Sequence, residues 1–221
     1  MKVYVIHYKG FEDRIGKIVK LLTICNSVED IEIITSENSS VKFATAEDNT
    51  TGRWLDILPD GFLKNPTTKP EQSICHKHFR AFKKIADGGE LAIVLEDDVL
   101  FDPADFDRFV KECEEMPADL DWGFFGTGVG LELPGVGFIK NENKLKSKCA
   151  DSMLVTPKAA QIVYDDLANG MIHVALDWDL NYRFLKHDFT IYWYEPGIVK
   201  QGSENGVYTN NRRKLEHKNQ I

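Results

Sequence analysis

Val3-Tyr4-Val5-Ile6 opens the chain with four apolar, largely β-favouring residues in a row, which predicts a buried first strand. Ile15, Ile18, Leu21 and Leu22 then recur at helical spacing, and Ile31-Glu32-Ile33-Ile34 reads as a second strand. Residues 36–60 are largely polar, with turns expected at Asn49-Thr50-Thr51-Gly52 and Pro59-Asp60-Gly61. A helix is expected next. Pro70 suits its first position, Glu71 its first turn, and Ile74, His78, Phe82 and Ile85 form one apolar stripe ending at Gly88-Gly89. Leu91-Ala92-Ile93-Val94-Leu95 has no polar alternation, so it predicts a strand covered on both faces.

Asp102-Pro103 looks like a cap and first helical position, with Phe106, Phe109, Val110 and Cys113 on the inner face of the helix. Residues 121–125 predict a strand, and Gly126, Gly128, Gly130, Gly135 and Gly137 make the following stretch loop-like. Met153-Leu154-Val155 reads as a short strand, and Thr156-Pro157 as the cap of a helix facing inward through Ile162, Val163 and Leu167 and closing at Asn169-Gly170. Residues 177–185 have mixed helical character, and residues 189–193 are β-like. Strands alternating with helices predict an α/β fold with a mainly parallel central sheet flanked by helices. A single domain over residues 1–205 is expected, followed by a polar tail over residues 206–221.

Composition narrows the function. The formal net charge is −8, which argues against general nucleic-acid binding, because phosphates call for a basic surface. An anionic substrate stays open, since a bound metal ion inverts the local field. Cys25, Cys75, Cys113 and Cys149 have neither CxxC pairing nor zinc-type spacing and are expected as reduced thiols. No stretch approaches the ~20 apolar residues of a membrane span, and the apolar start is too short for a signal peptide. A cytoplasmic location is expected, of a cell or of a virus replicating in one. Arg212-Arg213-Lys214 is a candidate contact for an anionic membrane surface, though a solvated tail is the plainer reading.

Glu96-Asp97-Asp98 carries the sharpest chemistry. Ligands of open α/β sheets bind beyond the carboxyl ends of strands. Three carboxylates there repel one another, and hard oxygens suit Mg²⁺ or Mn²⁺. The acids alone do not choose between that and a solvated, helix-capping turn. Asp177-Trp178-Asp179 offers a general base and a ring for a sugar face, or else a helix start capped by Asp177. His76 and His78 are two apart on a helix and do not face one way, so a joint metal site is disfavoured; His78 reads as a partly buried, hydrogen-bonded histidine. His7 follows the first strand and is a candidate to face a ligand, though alone it is a weak signal. Cys75 has no legible base beside it, and residues 126–130 match neither a Walker loop nor a dinucleotide fingerprint.

Six ordered segments resemble glycosyltransferase family 25, the group of lipooligosaccharide and collagen galactosyltransferases. They are VYVIHYKGFEDRIGKIVKLL, KHFRAFKKI, LAIVLEDDVLF, SMLVTPKAA, ALDWDL and EPGIVKQGS. The resemblance covers nearly the whole chain. It implies a GT-A (Rossmann-like) fold, inversion at the anomeric carbon, and a nucleotide-sugar donor, usually a UDP-sugar such as UDP-galactose or UDP-glucose. A glycan or glycoconjugate hydroxyl is the implied acceptor. His7, Tyr8, Lys9, Arg14, His78, Glu96 and Asp97 fall at the donor side, with Mn²⁺ or Mg²⁺ on Asp98 and Glu96. Of these Asp98 is the better metal ligand, Glu96 the better donor contact, and Asp97 mainly structural. Asp177 or Asp179 is the implied base. Lys77, His7 and Met153 depart from the Ser, Asn and Tyr common in the family. A nucleotidyltransferase on a related sheet and a non-catalytic sugar-nucleotide or glycan-binding module are the competing readings. The first would want a basic, glycine-rich loop after the first strand, which HYKGFEDR matches only faintly.

Overall fold

A computed structural model describes residues 1–36, 39–44, 67–203 and 205–208. The expected turns at Asn49-Thr50-Thr51-Gly52 and Pro59-Asp60-Gly61, the stretch Arg212-Arg213-Lys214 and nearly all of the expected tail lie outside these residues.

The opening apolar run forms β1 (Lys2–Ile6), and α1 (Glu12–Ile24) leads to β2 (Asp30–Ile34), which lies parallel to β1. After β3 (Lys42–Phe43) comes α2 (Lys69–Gly88). Its start is fixed by a capping box in which Thr68 and Glu71 each satisfy the other's backbone N–H, and its end by left-handed Gly89. β4 (Ala92–Glu96) and β5 (Val99–Phe101) flank the acidic turn. α3 (Pro103–Glu112) is capped by Asp102, whose Oδ1 accepts the Ala104 N–H at 2.8 Å. β6 (Trp122–Phe124), β7 (Gly137–Lys140) and β8 (Ser152–Val155) follow, then α4 (Pro157–Asn169), capped by Thr156. β9 (Met171–Ile172), α5 (Leu176–Lys186), β10 (Ile191–Glu195) and β11 (Val199–Gln201) complete the described elements.

Seven strands form one sheet in the order β2-β1-β4-β8-β6-β10-β7. β8 runs antiparallel to β4 and β6, and β7 antiparallel to β10; the other neighbours are parallel, so the sheet is mainly parallel as expected. Alternate residues feed two cores. Tyr4, Ile6, Val94 and Met153 pack with Phe79 and Phe82 of α2, Val163 of α4 and Phe184 of α5. Val3, Val5, Ile93 and Leu95 pack with Ile18 of α1 and with Phe106 and Phe109 of α3. This double cover is why residues 91–95 lack polar alternation.

Two expectations change. The stripe on α2 is wider than one face: Ile74 is only half-buried, while Cys75, Phe79 and Ala81 are buried, because the helix packs on α4 as well as on the sheet. Phe79 stacks on Tyr164 of α4 with ring centroids 4.5 Å apart. Asp177 is not a cap; Ala175 holds that position and Asp177 lies in the first turn of α5. All four cysteines are free, and burial pushes the Cys25 and Cys113 thiols up to about 11 and about 12. Among the described residues no helix is long and apolar enough to cross a membrane.

Candidate functional site

The acidic triplet straddles the sheet. Ile6 of β1 stands in register with Glu96 of β4, so His7 and Asp97 come next at the same end. Asp97 follows Ile93 and Leu95 to the α1 side, where three groups hold it. His7 Nδ1 lies 2.7 Å from its Oδ2, the Tyr8 N–H donates to the same oxygen at 3.1 Å, and Arg14 Nη1 donates to Oδ1 at 3.5 Å. With Asp97 ionised, Nδ1 is the protonated nitrogen of His7. His7, Arg14 and Asp97 are all buried. His7 was expected to face a ligand and instead turns inward to carry Asp97. Tyr8 and Lys9 are the exposed side chains of that loop. Arg14 also packs its guanidinium 3.8 Å from the centroid of the Phe11 ring and lies 3.9 Å from Asp98 Oδ2.

Glu96 follows Val94 to the α2 side. His78 Nε2 approaches its Oε1 at 4.0 Å while lying 3.2 Å from the Ala150 carbonyl oxygen. Complete burial lowers the His78 pKa to about 4, against the Ile74 and Ala150 carbonyl oxygens that its two ring nitrogens face. Burial, reinforced by Asp98 and Asp151, pushes Glu96 well above the usual carboxylate range. Burial raises Asp98 too, against hydrogen bonding from Ser203 and the charge of Arg14. Asp98 Oδ1 is buried with no hydrogen-bond partner among the described residues.

The far end of the chain closes over this turn. β11 pairs antiparallel with β5, matching Gln201 to Val99, and the Gly202 N–H then donates to the Asp98 carbonyl oxygen at 2.7 Å. A Cβ on Gly202 would stand 2.7 Å from that oxygen and 2.5 Å from the Tyr208 ring, so the close approach requires glycine. Tyr208 in turn lies beside Arg14, 5.1 Å from ring centroid to guanidinium carbon.

The structure separates Asp177 from Asp179. Asp177 is half-buried, its Oδ1 accepts the Trp178 N–H at 3.0 Å, and its charge bears on Glu96. Asp179 is fully buried and takes Arg183 Nε at 2.6 Å, while Arg183 Nη1 donates to Asp166 at 2.5 Å. Asp179 is thus committed to an interior ion pair, which leaves Asp177 as the candidate base of the two.

Two further buried charges are not among the candidate site residues, although Lys77 stands as a departure from the family pattern. Asp151 is buried just before β8, and burial raises its carboxyl to about 7. Lys77 is buried on α2, donates to Ser73 Oγ at 2.7 Å and places its ammonium 5.2 Å from the Tyr8 ring centroid. Their only signals were a charge beside an apolar strand and a charge within an apolar helix face.

Among the described residues no three His, Cys, Asp or Glu side chains form a group that encloses a metal ion on its own. The donor set nevertheless fits a hard divalent cation. Buried carboxylates press on one another, one oxygen lacks a partner, and such ions are commonly held by one or two carboxylates completed by phosphate oxygens and water. Two open surface cavities, about 350 Å³ beside Lys2 and Lys84 and about 320 Å³ beside Arg80 and Tyr164, lie elsewhere along α2 and include none of the triplet.

No protein-family model and no curated protein matches the chain. Among solved structures it is similar to a glycosyltransferase involved in the glycosylation of the major capsid of PBCV-1. That match has 10% identity and a TM-score of 0.51, and covers 98% of this chain and 97% of that one. It also resembles a CMP:2-keto-3-deoxy-manno-octonic acid synthetase complexed with CTP, at 10% identity and a TM-score of 0.46, over 98% of each chain. A third likeness is to the galactosyltransferase LgtC in complex with donor and acceptor sugar analogs. Here the identity is 10% and the TM-score 0.44, over 96% of this chain and 88% of the other. At such identity the likeness to the first speaks to the fold: a mixed α/β domain with a mainly parallel sheet and flanking helices, of the kind glycosyltransferases use.

Proposed function

We propose that this chain is an inverting, divalent-metal-dependent glycosyltransferase that moves a sugar from a nucleotide donor, a UDP-sugar above all, to a hydroxyl of a glycan or glycoconjugate. The observation that carries this reading is the buried Glu96-Asp97-Asp98 turn at the carboxyl end of β4, with Asp98 Oδ1 unpartnered and the exposed Tyr8 and Lys9 beside it. The resemblance of six ordered segments to glycosyltransferase family 25 supports it, as does a sheet whose strand ends are a customary ligand site. The cysteine spacing, without CxxC pairing, favours a cytoplasmic enzyme.

Asp98 is the residue to hold Mn²⁺ or Mg²⁺, and Glu96 the residue to meet the ribose or the sugar. When bound, the cation supplies Lewis-acid stabilisation of the departing diphosphate. Asp97 is held by His7, the Tyr8 N–H and Arg14, and so fixes the turn on which its neighbours stand. Asp177 takes the proton of the acceptor hydroxyl as that oxygen attacks the anomeric carbon from the side opposite the diphosphate. One displacement of this kind inverts the anomeric centre.

A thermal-shift panel of nucleotide sugars with and without Mn²⁺ tests the reading. One donor is expected to raise Tm only when Mn²⁺ is present, and Asp98→Asn is expected to cut transfer from that donor by at least about 100-fold. A panel in which no nucleotide sugar shifts Tm sinks the proposal. Turnover of a nucleoside triphosphate with a sugar, releasing pyrophosphate, would replace it with the nucleotidyltransferase reading.

A further inference from the structure

The motif that names Glu96, Asp97 and Asp98 does not include Asp151, and the function proposed above gives it no part. Its position does. Leu95 of β4 pairs with Ser152 of β8 in antiparallel register, and the Glu96 N–H donates to the Asp151 carbonyl oxygen at 2.9 Å, extending that register by one step. Glu96 and Asp151 are therefore direct cross-strand neighbours whose side chains leave the same face of the sheet. Like charges so placed destabilise a sheet, and these are largely withdrawn from water: Asp151 is 3% exposed and the Glu96 side chain 18%.

On the other side of Asp151 the row continues to Gly126. Phe124 of β6 pairs with Met153, which sets Gly126 opposite Asp151. A Cβ there would stand 2.8 Å from Asp151 Oδ1 and 2.5 Å from Ser152 Oγ. Gly126 is not among the glycines with positive φ, so its missing side chain provides room beside the carboxylate rather than an unusual backbone. Ser152 Oγ donates to Asp151 Oδ1 at 2.9 Å. The Asp98 side chain, 6% exposed and with Oδ1 unpartnered among the described residues, is close enough to act electrostatically on both Glu96 and Asp151.

We propose that Asp151 is a second protein ligand of the divalent cation, shared with Asp98 beside Glu96. The inference rests on the metal-dependent reading above and adds a residue from a different strand. Two carboxylates supply hard oxygen donors, and the remaining positions stay open to diphosphate oxygens and water, the usual habit of Mg²⁺ and Mn²⁺. The ion's two positive charges would offset the repulsion among these carboxylates.

The test is titration of the full chain with Mn²⁺ alone, without nucleotide, followed by isothermal calorimetry. Wild type is expected to bind. Asp151→Asn, which keeps the side-chain shape, is expected to weaken binding about tenfold or more, as is Asp98→Asn. The metal-free melting temperature of Asp151→Asn should not fall, because a buried like charge has gone. Gly126→Ala keeps every carboxylate but forces Asp151 aside; it should lose affinity too, and it gives the reading if Asp151→Asn does not fold. Wild-type affinity in whichever of these two variants folds overturns the inference. If affinity is lost in Asp98→Asn but kept in those variants, only this inference fails and the transferase reading stands. If wild type takes up no Mn²⁺ even with a UDP-sugar present, both fall.

Discussion

Asp177 and Asp179 are the same residue type two positions apart, and the structure gives them opposite duties. Successive positions on a helix differ by about 100°, so residues two apart point to different sides. One acts electrostatically on Glu96, and the other turns into the Arg183–Asp166 network. Asp179→Ala leaves a buried guanidinium short of a partner and is expected to cost about 3–5 kcal/mol in urea denaturation. Asp177→Asn is expected to change stability by no more than about 0.5 kcal/mol. It should lower kcat by about 10²- to 10⁴-fold with donor KM little altered. A fall in kcat for Asp179→Ala alone, with full stability, would reverse the assignment. At this scale the sequence was informative about the triplet, whose members the family resemblance already divided. It was silent about Asp151, whose meaning depends on which strand lies beside it.

At the scale of elements, the helices and long apolar strands were legible, since capping residues and periodicity are local signals. Asp102 and Thr156, both read as caps, do cap helices in the structure, and Thr68, which was not read, caps α2. The short strands β3, β5, β7, β9 and β11 were not read, because two to four residues carry no periodicity and each exists only through a distant partner. The β5–β11 pair matters most to the site, since it brings Gly202 against Asp98. Gly202→Ala must push on the Asp98 backbone or the Tyr208 ring, and it is expected to destabilise the protein by roughly 1–3 kcal/mol. Because the pushed residue is Asp98, Mn²⁺ binding should weaken in the same variant. Calorimetry and thermal melting on one preparation check both, and an unchanged melting temperature would show that the segment yields freely.

For the whole molecule, the buried ionisable groups near the acidic turn pull stability in opposite directions with pH. Asp151 has a folded pKa of about 7 against an ordinary 3.8, so the folded state favours its protonated form. That contribution is fully present below about pH 4 and is lost as the pH rises through about 7. His78 has a folded pKa of about 4 against 6.5, so its contribution is present above about pH 6.5 and is lost on acidification toward 4. In metal-free wild type the two trends oppose each other. Asp151→Asn removes the first and keeps the second, so on going from pH 8 to pH 5 it should lose more stability than wild type does. Urea midpoints at the two pH values measure this, and equal losses in the two proteins would contradict the placement of Asp151.

The sheet order has a further consequence in time. β6 is made before β8, yet it joins β4 in the sheet only through β8, which lies between them. On a chain growing from its N-terminus, the half built on β1, β2 and β4 and the strand β6 have no common edge until residues 152–155 arrive. Those residues come directly after Asp151. The piece that joins the two halves of the protein thus delivers, with the same stroke of synthesis, the Asp151 carboxylate beside Glu96.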